Sequence, residues 1–246
     1  MQFLKKLKQI LPKFIRTPIR SALEIFVPVY RERKIEKVQR DAEYSAAAEE
    51  CSRLTHELFG NIAEIFEERI DLISYIIQVA KNGVDGLWME FGVFKGRSLN
   101  LIAKNIDQIV YGFDSFDGLP EDWQIMDKQL AKAGTFSLSD IPKVNENVEL
   151  VVGLFQESLP AFLKKHSKPA AFVHIDCDLY SSARYVLSLL NFQPGTIILF
   201  DEYYNYPGWR EGEYKAFQEF LADGIWQAKC IGYATKGWNA GFMIYK

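Results

Sequence analysis

Five short apolar runs recur along the chain, at 87–91, 109–113, 148–152, 171–175 and 196–200. Each is apolar at consecutive rather than alternating positions, the pattern of a strand buried on both faces. Stretches of helical periodicity lie between them, near 97–105, 157–165, 182–191 and 212–222. Strands that alternate with helices predict parallel βαβ units. At the end, Trp226–Ile231 and Gly241–Tyr245 flank the turn residues 236–239 and read as an antiparallel hairpin. The expectation is an α/β fold with a mostly parallel, seven-stranded sheet. Upstream, from about Ala42, two helical stripes are expected. Leu54, Leu58, Ile62, Ile65 and Phe66 form one; Ile70, Leu72, Ile73, Ile76 and Ile77 form the other, capped at Asn82-Gly83. The segment 120–147 shows no clear strand and is long for a connection, as segments that cover a site often are.

The start of the chain has another texture. Phe3, Leu4, Leu7, Ile10 and Leu11 recur at helical spacing, with Lys5, Lys6, Lys8 and Lys13 between them. Pro12 and Pro18 limit any helix to short pieces. Residues 1–40 carry eleven Lys and Arg against three Glu, a balance of +8, whereas the rest of the chain stands at −11. The net charge of −3 therefore hides a basic amphipathic arm on an acidic body. The arm is not a convincing signal peptide, because Lys13 and Arg16 interrupt its apolar stretch. It suits an anionic membrane surface, touched peripherally, or a partner subunit. The acidic body disfavours nucleic acid. With 48% apolar residues among 246, the chain can bury a core. No run approaches the roughly 18 residues of a membrane span. Cys51, Cys177 and Cys230 form neither a disulfide framework nor a CxxC clip and read as buried thiols in a reducing, cytoplasmic setting.

In open α/β sheets ligands bind beyond the carboxyl ends of the strands. Acidic residues occupy most of those exits: Glu90, Asp114, Glu157, Asp176 with Asp178, and Asp201 with Glu202. The first turn, Glu90 to Ser98, reads EFGVFKGRS, and Gly92 and Gly96 permit a tight strand-to-helix turn. Asp114, 22 positions beyond Gly92, suits both hydroxyls of a ribose. The third glycine of a dinucleotide turn is missing, and a carboxylate at Glu90 would repel pyrophosphate. It would suit the ammonium of an amino acid. Ribose together with a cationic amino acid describes S-adenosyl-L-methionine. Asp176, Asp178, Asp201 and Glu202 can converge from two adjacent exits. Two readings stay open for them, a hard cation such as Mg2+ and a solvated acidic rim. His174 lies inside a strand pattern and reads as a core histidine, with a role as base the lesser alternative.

The strings EFGVFKGRS (90–98), YGFDSFDGLP (111–120), HIDCDLY (174–180) and FDEY (200–203) resemble the macrocin O-methyltransferase family. The resemblance covers about residues 85–245. It implies a Rossmann-like class I methyltransferase that uses S-adenosylmethionine to methylate sugar hydroxyls. It further implies that Glu90, Gly92 and Ser98 serve the methionine end of the cofactor, Asp114 the ribose, and Ser115 and Phe116 the adenosine. Asp176 would bind metal, Asp178 would act as general base, and Asp201 and Glu202 would complete the metal site. Glu202 departs from the family's Asp-Asp pair; it remains a hard oxygen donor but reaches one methylene further.

The expected organisation is a basic arm over 1–41, a helical segment over 42–84 and the methyltransferase domain over 85–246. The expected reaction is direct methyl transfer to a hydroxyl of a sugar-containing small molecule or glycan, with Mg2+ lowering the hydroxyl pKa and Asp178, or next Asp201, taking the proton. Self-association as a homo-oligomer is compatible with this. The alternatives are a phenol or amine acceptor, and a non-catalytic partner-binding module. One or two aromatics of Tyr203–Trp209 are expected to face the sugar, and 120–147, with Trp123, Met126 and Phe136, to act as a lid.

Overall fold

A computed structural model describes residues 37, 39–60, 63–125 and 128–246, with the side chains of 125, 128 and 129 not placed. The first compact unit, Met1–Ala46, is described only at 37 and 39–46, which are helical. The basic arm predicted over 1–41 thus falls almost wholly outside the described residues, as does Met126 of the predicted lid.

The second unit, Ala47–Lys246, holds the predicted α/β fold. Its helices are α1 (47–59), α2 (Arg69–Lys81), α3 (Arg97–Lys104), α4 (Phe155–Leu163), α5 (Tyr180–Leu189) and α6 (Glu213–Ala222). The strands are β1 (Glu64–Phe66), β2 (Leu87–Phe91), β3 (Val110–Asp114), β4 (Trp123–Ile125), β5 (Lys128–Ala131), β6 (Val148–Val152), β7 (Ala170–Ile175), β8 (Ile197–Phe200), β9 (Gln227–Ala234) and β10 (Ala240–Tyr245). The main sheet runs β1-β9-β10-β8-β7-β2-β3-β6. β10 is antiparallel to both β8 and β9, as the hairpin predicts. Every residue of β2, β7 and β8 is buried, which is why these strands read as unbroken apolar runs. Leu72, Ile76 and Ile77 of α2 pack with Leu99 and Ile102 of α3 in the core on the sheet.

Three local features differ from expectation. The first helical stripe stops at 59, and Gly60, at φ +70°, closes the turn by donating to the His56 carbonyl. Ile65 and Phe66 belong instead to β1, an eighth strand that pairs with β9 at the sheet edge. The segment 120–147 contains a two-stranded ribbon, β4 with β5. Both features are only three or four residues per strand, too short to set up a period.

β2 lies between β3 and β7, so the chain leaves it in one direction and later returns on the other side. This is the switch point at which α/β sheets open a crevice.

Candidate functional site

A cavity of about 860 Å³ opens at that switch point, within the range of small-molecule sites. Gly92, Val93, Phe94, Ser98, Asp114 and Ser115 line one side. Asp176, Asp178, Asp201 and Glu202 line the other. Exits of β2, β3, β6, β7 and β8 therefore meet in one place, as their acidic ends suggest. From the third exit Gln156 lines the cavity and Glu157 does not.

The turn after β2 is built around Asp114. Its Oδ2 accepts hydrogen bonds from the backbone N–H groups of Val93 and Phe94, both at 2.8 Å, and its Oδ1 accepts from Phe116 N–H. The amides that a pyrophosphate would need at this turn are thus given to a carboxylate. Lys95 and Arg97 of the same turn also line the cavity. Gly92 sits at φ +92°, and a Cβ there would overlap the Asp176 carbonyl oxygen. The glycine is what lets the β2 and β7 exits close together.

Glu90 does not line the cavity. It is fully buried, with Oε1 accepting from Ser98 Oγ at 3.1 Å and Oε2 2.8 Å from His174 Nδ1. Ser98, which does line it, carries the influence of Glu90 to the ligand space. Phe116 likewise packs into the core behind the wall, whereas Ser115 faces the space.

His174 is a core histidine, wholly buried between Glu90 and Asp201; its Nε2 stands 3.6 Å from Asp201 Oδ1. Burial alone would lower its pKa, but the neighbouring carboxylates of Asp201 and Glu90 lift it to about 10, so with no metal bound the ring is protonated at neutral pH. His174 also comes, with Asp176 and Asp201, within reach of a single metal position. The cluster holds more acid than base. Burial opposes ionisation of Asp201, yet His174 and Arg69 keep its carboxyl below the ordinary range. Asp178 is pushed up to about 7 by burial, then by Asp201 and Asp114. Its backbone is held at φ +62°, strain of the kind that collects at functional sites. Burial followed by Asp201 and Glu213 raises Glu202 well above its ordinary value.

Three contributors have no signal in the sequence. Arg69, the first residue of α2, is ion-paired with Asp201 Oδ1 at 2.7 Å and donates to Asp176 Oδ2 at 3.2 Å. Asn239, from the hairpin turn, donates to Asp201 Oδ1 at 2.6 Å and to its carbonyl at 3.0 Å. Glu213, buried at the start of α6, accepts from Glu202 N–H. Arg69 and Asn239 join the cluster across 107 and 38 positions, and Glu213 across 11, through contacts that no local pattern reports.

The aromatics behave otherwise than expected. Tyr203, Tyr204, Tyr206 and Trp209 are all buried and none lines the cavity. Tyr203 packs on Phe200 and Phe242, and Tyr204 on Phe59. They join α1 and the hairpin to the sheet, and burying so much ring area outweighs display to solvent. The aromatics that do line the cavity are Phe94 and Phe136, edge-to-face at 5.4 Å, together with Phe155. The predicted lid thus meets the cavity through Phe136, while Trp123 packs behind it near Tyr206.

The residues present fit a divalent cation. Asp176 and Asp201, with His174, bring ligand atoms within 4.8 Å of one another, and Glu202, whose buried Oε2 has no hydrogen-bond partner, lines the same cavity.

Residues 3–225 match the family described as Macrocin-O-methyltransferase (TylF). No curated protein matches the chain. Among solved structures, CalS11, a calicheamicin methyltransferase, superposes with a TM-score of 0.54 at 22% identity, over 98% of this chain and 90% of that one. A second structure of CalS11, described as a TDP-rhamnose 3′-O-methyltransferase, matches at 0.49 and 20% identity over 70% and 76%. An O-methyltransferase from Bacillus cereus matches at 0.47 and 19% identity over 81% and 90%. The first of these establishes the fold.

Proposed function

Because the chain belongs to the macrocin O-methyltransferase family, and is therefore an O-methyltransferase, we propose that it methylates a hydroxyl of a sugar or glycosylated small molecule at this cavity, using S-adenosylmethionine and Mg2+. The observation that carries the reading is the meeting of two unlike walls in one cavity: a turn closed to phosphate and a buried carboxylate cluster.

In this reading S-adenosylmethionine would supply an electrophilic methyl group, and Asp176, Asp201 and Glu202 would hold an Mg2+ ion whose chemistry would be to lower the pKa of the acceptor hydroxyl. The remaining work falls to the chain. Asp114, whose Oδ2 already accepts from two amides, keeps a lone-pair direction on Oδ1 for a ribose hydroxyl. Ser98, set by Glu90, and Ser115 border the same ligand. Asp178 takes the acceptor proton, from a backbone that fixes its direction. Phe94 and Phe136 give the cavity an apolar rim that keeps water from the reacting centre. In this reading the transfer domain spans 85–246, and the helical segment 42–84 completes it by lending Arg69. The arm, 1–41, serves contact with an anionic membrane or a second subunit from the cytoplasmic side.

The test is release of S-adenosylhomocysteine across a panel of glycosides, with and without EDTA. Turnover on at least one sugar, lost with EDTA and restored by Mg2+, is expected. Turnover confined to phenols or amines would overturn the sugar reading, and EDTA-insensitive turnover would overturn the metal.

A further inference from the structure

The cation already inside the carboxylate cluster is Arg69. Among the described residues, only Arg69 and His174 bring positive charge within ion-pair distance of Asp176 and Asp201. The two differ in freedom. The His174 side chain is fully buried, whereas 43% of the Arg69 side chain is exposed. Arg69 begins α2, and Glu68, Arg69, Ile70 and Ile73 line the cavity, so the positive end of that helix also faces the acids.

The hydrogen bonds leave little room for a second cation. An ionised carboxylate oxygen offers about two lone-pair directions. At Asp201 Oδ1 one is taken by Asn239 at 2.6 Å, and the Arg69 guanidinium, ion-paired at 2.7 Å, crowds the other. Asn239 is buried and tied to the Asp201 carbonyl as well, so it cannot withdraw cheaply. Arg69 can, because its stem is long and partly in solvent. A divalent ion and a guanidinium on the same oxygens would also repel each other strongly at such range. Glu202 Oε2, buried and unpartnered at the cavity wall, is an oxygen that the guanidinium leaves unserved.

We propose that Arg69 is the stand-in cation of the metal site: it holds Asp176 and Asp201 together when no metal is bound and must swing out when a divalent ion enters. This rests on the metal reading above. Arg69 therefore weakens metal affinity while stabilising the metal-free fold, two effects of opposite sign from one side chain.

Mn2+ is titrated into the full-length protein and its Arg69→Gln variant by calorimetry, with thermal unfolding followed in parallel. Arg69→Gln is expected to bind Mn2+ about tenfold more tightly or better. It is also expected to melt at a lower temperature without metal and to gain more from Mn2+ than the wild type does. Arg69→Lys, which keeps the charge on a shorter-reaching, single-point head in place of the Nη2 that meets both carboxylates, is expected to fall between the two; it carries the test if Arg69→Gln does not fold. Equal or weaker binding by the variants, with Mn2+ bound by the wild type, overturns the stand-in role alone. No Mn2+ binding by any of the proteins overturns both this role and the metal reading.

Discussion

His174 shows how one side chain can be structural and electrostatic at once. Its protonated ring neutralises part of a buried acidic cluster from inside the sheet, touching Glu90 at 2.8 Å. A histidine whose folded pKa stands above its unfolded value stabilises the fold fully below pH 6.5 and loses that contribution as the pH rises through about 10. Measured by urea unfolding in EDTA, wild-type stability should fall across that window by an amount on the order of 1–3 kcal/mol. His174→Leu should be less stable at the lower pH and show a flatter profile; parallel slopes would contradict the assignment. At this scale the sequence was partly legible. His174 could be placed in the core because it sits inside an apolar run. Glu90 could not be placed behind the wall, because its neighbours His174 and Ser98 lie 84 and 8 positions away. Arg69, Asn239 and Glu213 were invisible for the same reason.

Among the elements, the central strands were readable because each is buried on both faces and so reads as an apolar run. The edges were not. β1, β4 and β5 span only three or four residues, and their pairing depends on neighbours rather than on their own pattern. The aromatic stretch 203–209 was misread because composition gives ring area but not the side of a wall on which it lies. What positions the site is the contact between the β2 and β7 exits, and Gly92 permits it. Gly92→Ala introduces a Cβ onto the Asp176 carbonyl at a positive φ that alanine resists. A loss of roughly 3 kcal/mol or more is expected in unfolding experiments, with cofactor affinity falling as well. Gly134 also has a positive φ, yet a Cβ there meets nothing within 4 Å. Gly134→Ala should therefore cost only about 1 kcal/mol or less. Equal losses at the two positions would show that backbone conformation, not the close approach, is what matters.

For the molecule as a whole, the charge division of the sequence keeps its meaning on one side. Part of the acidic excess of the body is gathered at a cavity where a cationic cofactor and a metal are proposed to bind. The basic arm is a separate question. Among the described residues no helix is long and apolar enough to cross a membrane. If the arm reads an anionic surface, the full chain should sediment with anionic vesicles and a chain lacking residues 1–40 should not. Equal sedimentation, or none by either, removes the membrane reading and leaves a subunit contact.

The central claim is that methyl transfer occurs where the turn of Asp114 faces the carboxylates of β7 and β8, with Asp178 as the base. The most direct measurement compares wild type, Asp178→Asn and Asp114→Asn for turnover and for equilibrium affinity for S-adenosylmethionine. Asp178→Asn should lose turnover by about a thousandfold while binding the cofactor within a few-fold of wild type. Asp114→Asn should lose the affinity itself. Undiminished turnover in Asp178→Asn, or unchanged cofactor affinity in Asp114→Asn, would contradict the account.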